Sequence, residues 1–285
     1  MTSVPPQETS DSLVHLLAGR AIVLLGCGKM GSAMLEGWLA SGVSPGQVHV
    51  LDPQPSDWLD ERAVEGLRLN KGLAEVDAAV VILAVKPQMM DGALPAVAGL
   101  TAAKPLFLSI AAGKTLTYFA DHLGQDAAIV RSMPNTPAAV GRGITALIAN
   151  AHVDNPQIQL AEVLLAAIGE TAWLETEDQI DAVTGVSGSG PAYVFHLVEA
   201  LAAAGEAEGL APELALRLAR ATVAGAGELL HRSPETAEQL RINVTSPAGT
   251  TAAGLEQLMD EKNGLKSLMQ RTVAAAAGRS RELAG

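Results

Sequence analysis

The chain has 285 residues, 48% of them apolar but only 3% aromatic, with a formal net charge of −12. This length suits two domains whose cores are built from Ala, Leu, Val and Ile rather than from rings. The charge repels phosphate backbones and argues against nucleic acid as a partner, while a lone cysteine, Cys27, excludes an internal disulfide and a cysteine-based metal cluster.

No metal site is expected, and a reducing, cytoplasmic compartment is the simplest setting. Residues 1–18 carry Pro5 and Pro6 without a positively charged start, and so read as a flexible N-terminal extension and not as a targeting peptide. Apolar runs such as 78–85 are too short to span a bilayer, so no membrane contact is expected.

From about residue 20, short β-rich runs alternate with helical stretches, the pattern of βαβ units around a parallel sheet. Strands are predicted at 21–25, 47–51, 79–85, 106–110 and 127–131, with 143–148 and 171–174 extending the sheet. Unbroken runs such as AVVILAV mark strands buried on both faces. The first strand runs into Gly26-Cys27-Gly28-Lys29-Met30-Gly31, and a helix is predicted from about Ser32. In this setting GxGxxG has a mechanism: Gly26 permits the tight turn, Gly28 lets the backbone approach a pyrophosphate, and Gly31 lets helix and strand pack. A dinucleotide is the expected ligand.

Asp52, at the end of the second strand, has two readings, an acceptor for a ribose 2′-hydroxyl or the first residue of an Asp-Pro turn. Asn70, Lys71 and Ser56 are candidate neighbours. Ala84-Val85-Lys86-Pro87 closes the third strand at the edge where ligands sit in open parallel sheets, and Lys86 is either a ribose or phosphate contact or a solvated loop lysine. Met133-Pro134-Asn135-Thr136-Pro137 makes a stiff loop after the fifth strand, in which Asn135 either orients a ligand or closes an Asx-turn. Residues 19–177 are thus expected to be one dinucleotide-binding domain.

Residues 178–285 read as helix after helix, with candidates at 190–208, 212–231, 234–244, 250–262 and 264–282. Pro191, Pro212 and Pro234 sit near helix starts. Small residues at helical spacing over 200–227 predict close packing, and so small a helical domain is expected to associate with a partner's copy. Thr184-Gly185-Val186-Ser187-Gly188-Ser189-Gly190-Pro191 reads as a close-packed helix junction with anion contacts. His196, between Phe195 and Leu197, reads as a structural histidine rather than an acid or base. The segment from Val244 to Leu255 concentrates four hydroxyls, a Pro-Ala-Gly turn and a helix start, donors suited to a carboxylate.

Taken together, GCGKMG at 26–31, AVKP at 84–87, MPNTP at 133–137, TGVSGSGPAYVF at 184–195 and VTSPAGTTAAGL at 244–255 give a chain that resembles pyrroline-5-carboxylate reductases from about residue 19 onward. The resemblance implies a Rossmann-like α/β domain followed by an all-α dimerisation domain, and a homo-oligomer, dimeric or larger. It implies that NADPH or NADH reduces the imine carbon of Δ1-pyrroline-5-carboxylate to give L-proline. By the same resemblance Ser246, Gly249, Thr250 and Thr251 hold the substrate carboxylate, and Thr251 hydrogen-bonds the imine nitrogen as the catalytic position. Gly26, Cys27, Gly28, Lys29, Met30, Gly31, Asp52, Asn70, Ala84, Val85, Lys86, Pro87 and Asn135 make up the expected cofactor set.

The sequence departs from the family pattern at two places. Ala248 stands in a usual glycine pair and disfavours a positive φ, which predicts a reshaped loop; Asp52 leaves the choice between NADPH and NADH open. Two other readings compete. The β-hydroxyacid dehydrogenases share the glycine turn but use a helix lysine, which is absent from 190–208. A dinucleotide-binding regulatory protein without turnover would lack the intact hydroxyl-rich loop.

Overall fold

The apolar runs become strands β1 (Ala21–Leu25), β2 (Val48–Leu51), β4 (Ala78–Leu83), β5 (Leu106–Ser109), β6 (Ala128–Met133), β7 (Gly143–Ala149) and β8 (Gly169–Trp173), joined at one edge by the two-residue β3 (Arg68–Leu69). These come from a computed structural model that describes residues 13–284. The sheet order is β3-β2-β1-β4-β5-β6-β7-β8. Strand alternation sorts its residues onto two cores: Ile22, Leu24, Val80, Ile82, Leu106 and Leu108 face one layer, while Val23, Leu25, Val81, Leu83 and Phe107 face the other. Every residue of β4 is buried, as an unbroken apolar run requires.

All pairings are parallel except β6 with β7, where Met133 lies opposite Ala146 and Val130 opposite Ala149. Residues 134–142 are too few for a crossover, so the chain reverses through the Pro137 turn and returns beside β6. β1 lies between β2 and β4, so strand order reverses at its carboxyl end. This is where open α/β sheets receive ligands.

Helix α1 (Lys29–Ala40) begins three residues before the predicted start, because Ser32 N–H already donates to Gly28 O at 2.8 Å. Its buried Trp38 donates Nε1–H to Leu164 O at 2.8 Å, tying α1 to a helix of the same layer. Helix α2 (Asp57–Val64) is N-capped by Ser56, α3 (Leu116–Leu123) by Thr115, and α4 (Asn155–Ala166) by an Asp154–Gln157 capping box. Of the extension expected over 1–18, residues 1–12 lie outside the described residues. Residues 13–17 are helical, and Leu13 and Leu17 are buried.

The described residues form two compact units, one running through Gly188 and including residues from Ala277 on, the other Ser189–Ala276. Helix α5 (Gln179–Val183) and the π-type turn Thr184–Gly188 belong to the first. There Ile180 is buried, and Ser280 Oγ–H donates to Asp181 Oδ1 at 2.6 Å.

The second unit contains α6 (Gly190–Ala207), α7 (Pro212–Arg232), α8 (Ala237–Asn243), α9 (Thr250–Leu258) and most of α10 (Leu265–Ala284). The expected close packing is present: Ala202, Ala215 and Ala219 are the buried face between α6 and α7. Helix α8 starts after Thr236, whose Oγ1 accepts from Gln239 N–H at 3.1 Å, and not at Pro234. α9 ends at Leu258, short of 262, because Asp260 Oδ1 accepts from Lys262 and Asn263 N–H and turns the chain.

Candidate functional site

The glycine turn is built by close approach. Gly26 has φ +88°, donates its N–H to Leu51 O at 2.8 Å, and a Cβ there would lie 2.8 Å from Val85 Cγ1. A Cβ at Gly31 would lie 2.8 Å from Gly26 O, so the helix can press onto the turn only as glycine. Gly28 faces open space. It caps α1 with no side-chain bond, which leaves N–H groups of the first turn for a ligand. Lys29 and Met30 begin the helix; Lys29 is exposed.

Cys27 is buried within this turn, and its N–H donates to Asp52 Oδ2 at 2.7 Å. Burial pushes the Cys27 thiol up from its ordinary value; the Ser32 contact opposes this and the Asp52 charge adds to it. Of the two readings of Asp52 the turn is present, since Oδ1 accepts from Gln54 N–H at 2.8 Å as a turn residue does, and Oδ2 in addition braces the glycine turn. Asn70 clamps the same residue from the other side, accepting from Asp52 N–H at 2.9 Å and donating to Asp52 O at 2.8 Å.

A cleft of ≈ 580 Å³ opens beside these groups, lined by Leu25, Leu51, Asp52, Pro53, Asn70 and Val85, with Gln88, Met89, Gly92, Ala93 and Ala96 beyond them. An apolar wall with a few convergent polar groups is what a nucleoside needs. The wall after Pro87 was missed from sequence, because Met90–Ala93 and Pro95–Ala98 are single turns too short to show helical periodicity. Ala84 N–H donates to Leu25 O at 2.8 Å, which brings Val85 to the turn, and Pro87 starts a 3₁₀ turn. Lys86 is exposed at this edge.

Asn135 follows β6, and its Oδ1 accepts from Ile144 N–H at 3.0 Å, so one half of the amide closes the Pro134–Pro137 loop. The adjoining turn Thr136–Val140 packs on α1. An ion pair that the sequence did not single out ties β6 to the segment after β8 and to the start of α3: Arg131, 4% exposed, meets Glu177 at 2.6 Å, and Glu177 also accepts from Leu116 N–H at 2.8 Å. An arginine directly after the apolar run 127–130 was the available signal, since a buried cation requires a partner.

In the helical unit, Thr245 Oγ1–H donates to Arg241 O, which removes one of the four hydroxyls from ligand duty. Ser246, Thr250 and Thr251 are exposed at the start of α9, whose Gly249 N-cap makes no side-chain bond to the helix N–H groups. A Cβ at Gly249 would overlap Ser246 Oγ. Ala248 does not reshape the loop away from positive φ; it adopts φ +55° in spite of its Cβ. His196 is exposed on the single chain and pairs with Glu199 at 2.9 Å. No three His, Cys, Asp or Glu side chains come together as metal ligands among the described residues.

A sheet parallel but for one pair, with a glycine turn at its switch point and followed by a unit of helices, defines a Rossmann-like dinucleotide-binding protein with a helical second domain. Residues 177–283 match the family model for pyrroline-5-carboxylate reductase dimerisation, and residues 21–113 match that for NADP oxidoreductase, coenzyme F420-dependent. The chain is 41% identical to the pyrroline-5-carboxylate reductase of Pseudomonas aeruginosa, over 92% of this chain and 96% of that protein. It is 40% identical to the enzyme of Synechocystis, over 91% and 97%.

Among solved structures, a pyrroline-5-carboxylate reductase from Coxiella burnetii superposes with TM-score 0.86 at 36% identity, covering 94% of this chain and 99% of that one. The Plasmodium falciparum enzyme with NADP bound gives 0.75 at 28% identity, covering 93% and 98%. The chain belongs to the pyrroline-5-carboxylate reductase family. Its match to a dimerisation model supports homo-oligomerisation, and no helix among the described residues is long and apolar enough to cross a membrane.

Proposed function

We propose that this chain reduces the C=N bond of Δ1-pyrroline-5-carboxylate with NADPH or NADH to give L-proline, the last step of proline synthesis. One observation carries the substrate assignment. Ser246, Thr250 and Thr251 expose hydroxyls beside an uncapped helix start, in the loop where the family resemblance places the substrate carboxylate. Ser246, Gly249 and Thr250 grip that carboxylate, and the Thr251 hydroxyl hydrogen-bonds the imine nitrogen, which takes up the proton.

The bound reduced nicotinamide supplies the hydride to the imine carbon. The turn from Gly26 through Cys27, Gly28, Lys29 and Met30 to Gly31 holds the pyrophosphate against the α1 start. Asp52 and Asn70 take the ribose. Ala84, Val85, Lys86, Pro87 and Asn135 complete the cofactor side. Positioning and charge stabilisation then do most of the catalysis, because a protonated imine is already a good hydride acceptor.

In this reading 19–177 is the dinucleotide-binding domain and 178–285 the substrate and dimerisation domain. The homo-oligomer forms through its helices, and the cytoplasm is the working compartment. The net charge of −12 supports the absence of a nucleic-acid partner.

The test is an assay of purified protein with pyrroline-5-carboxylate and each reduced dinucleotide, following cofactor absorbance and proline. Turnover with at least one donor is expected; its absence with both, from folded protein that binds cofactor, removes the enzymatic claim. Thr251→Ala is expected to lower kcat/KM about 10²-fold while cofactor affinity stays within about twofold. Equal losses in both would place Thr251 off the substrate.

A further inference from the structure

We infer that this chain takes NADH in preference to NADPH, because Asp52 is the only charged side chain lining the nucleoside cleft among the described residues. The inference rests on the dinucleotide-binding reading above and narrows it.

The carboxylate is held in place. Cys27 N–H fixes Oδ2 at 2.7 Å, Gln54 N–H fixes Oδ1 at 2.8 Å, and the Asn70 amide clamps the main chain on both its N–H and C=O. A carboxylate offers about four acceptor sites. Two are taken by these N–H groups and two remain, the number that a ribose 2′,3′-diol fills with its two O–H donors. A 2′-phosphate replaces one donor with negatively charged oxygens and sets them against a carboxylate that cannot swing away without releasing the glycine turn.

Nothing in the cleft offsets that repulsion. Its other lining groups are apolar or neutral, and the nearby lysines Lys29, Lys71 and Lys86 are exposed and absent from the lining. Like charges brought together in a partly desolvated cleft are a standard device against the wrong ligand. Asp52 therefore does two jobs, bracing the turn and reading the ribose.

The test is calorimetric titration of the full-length protein with NADH and with NADPH in the absence of substrate, with turnover measured alongside. NADH is expected to bind about tenfold more tightly or better. Asp52→Ser is expected to erase most of that ratio. Pro53→Arg, which leaves the Asp52 carboxylate in place and adds a cation to the lining, is expected to tighten NADPH relative to NADH by a similar factor. Equal or tighter NADPH binding by the unmodified protein overturns the inference and leaves the reductase reading intact. So does an Asp52→Ser protein that weakens both dinucleotides equally, which would confine Asp52 to the turn. Failure to bind either dinucleotide removes the underlying reading and the inference with it. A clear NADH preference without turnover sustains the inference and removes only the reductase.

Discussion

In the sheet unit Trp38, Phe107 and Phe119 are at most 1% exposed, and alternate strand residues fill a core on each face. In the helical unit Phe195 is 64% exposed and Leu229 61%, while the buried face is made of alanines. Both units are rich in apolar residues, so composition does not explain the contrast. A sheet covered by helices on both sides closes its own layers, whereas helices that meet through small side chains turn their larger ones outward. Exposed apolar surface of that kind marks an interaction site. A second copy of the chain is the natural cover, in line with the dimerisation match over 177–283.

The largest effect should fall on the closed unit. Trp38→Ala removes a fully buried side chain of the first core together with its bond to Leu164 O, and is expected to cost about 3–5 kcal/mol in urea unfolding. A loss under about 1 kcal/mol would mean that the sheet unit is less self-sufficient than its burial indicates.

The open unit should respond differently. Phe195→Ser is expected to cost about 2 kcal/mol of association, read as a shift to smaller species in sedimentation at micromolar concentration. An unchanged assembly would show that this face is not the interface.

Smallest is the loop. Ala248→Gly releases a left-handed alanine at φ +55° and is expected to stabilise the helical unit by about 1 kcal/mol, less the extra freedom of glycine in the unfolded chain. A destabilised variant would show that the alanine side chain itself supports the loop.

Much of this organisation was legible in the residues. β1 matched its predicted span, and the double burial of the AVVILAV run as far as Leu83 followed from its lack of polar positions, while the strand ends there and leaves Ala84 and Val85 half-buried at the turn. The glycine spacing located the turn, although the helix begins inside the motif because Gly28 O already accepts the first helical bond. The antiparallel return of β7 could have been read from the length of 134–142, since no parallel crossover is that short. The two-residue β3 could not: Arg68 and Leu69 have no periodicity to detect, and they pair only because β2 presents an edge.

The sequence by itself therefore determined most of the sheet, the glycine turn and the family, because strand burial follows a two-residue period and a glycine turn follows local sterics. Tertiary structure alone decided which polar groups were already committed. Thr245 bonds back to Arg241, half of the Asn135 amide holds β7, and Arg131 finds Glu177 across the fold. Asp52 is the sharpest case. From its neighbours in sequence it was either a turn residue or a ribose acceptor, and the fold makes the first arrangement while leaving acceptor sites free for the second. The reason is geometric: a side chain's donors and acceptors are shared out among groups distant in sequence, and only the folded chain brings those groups within bonding distance.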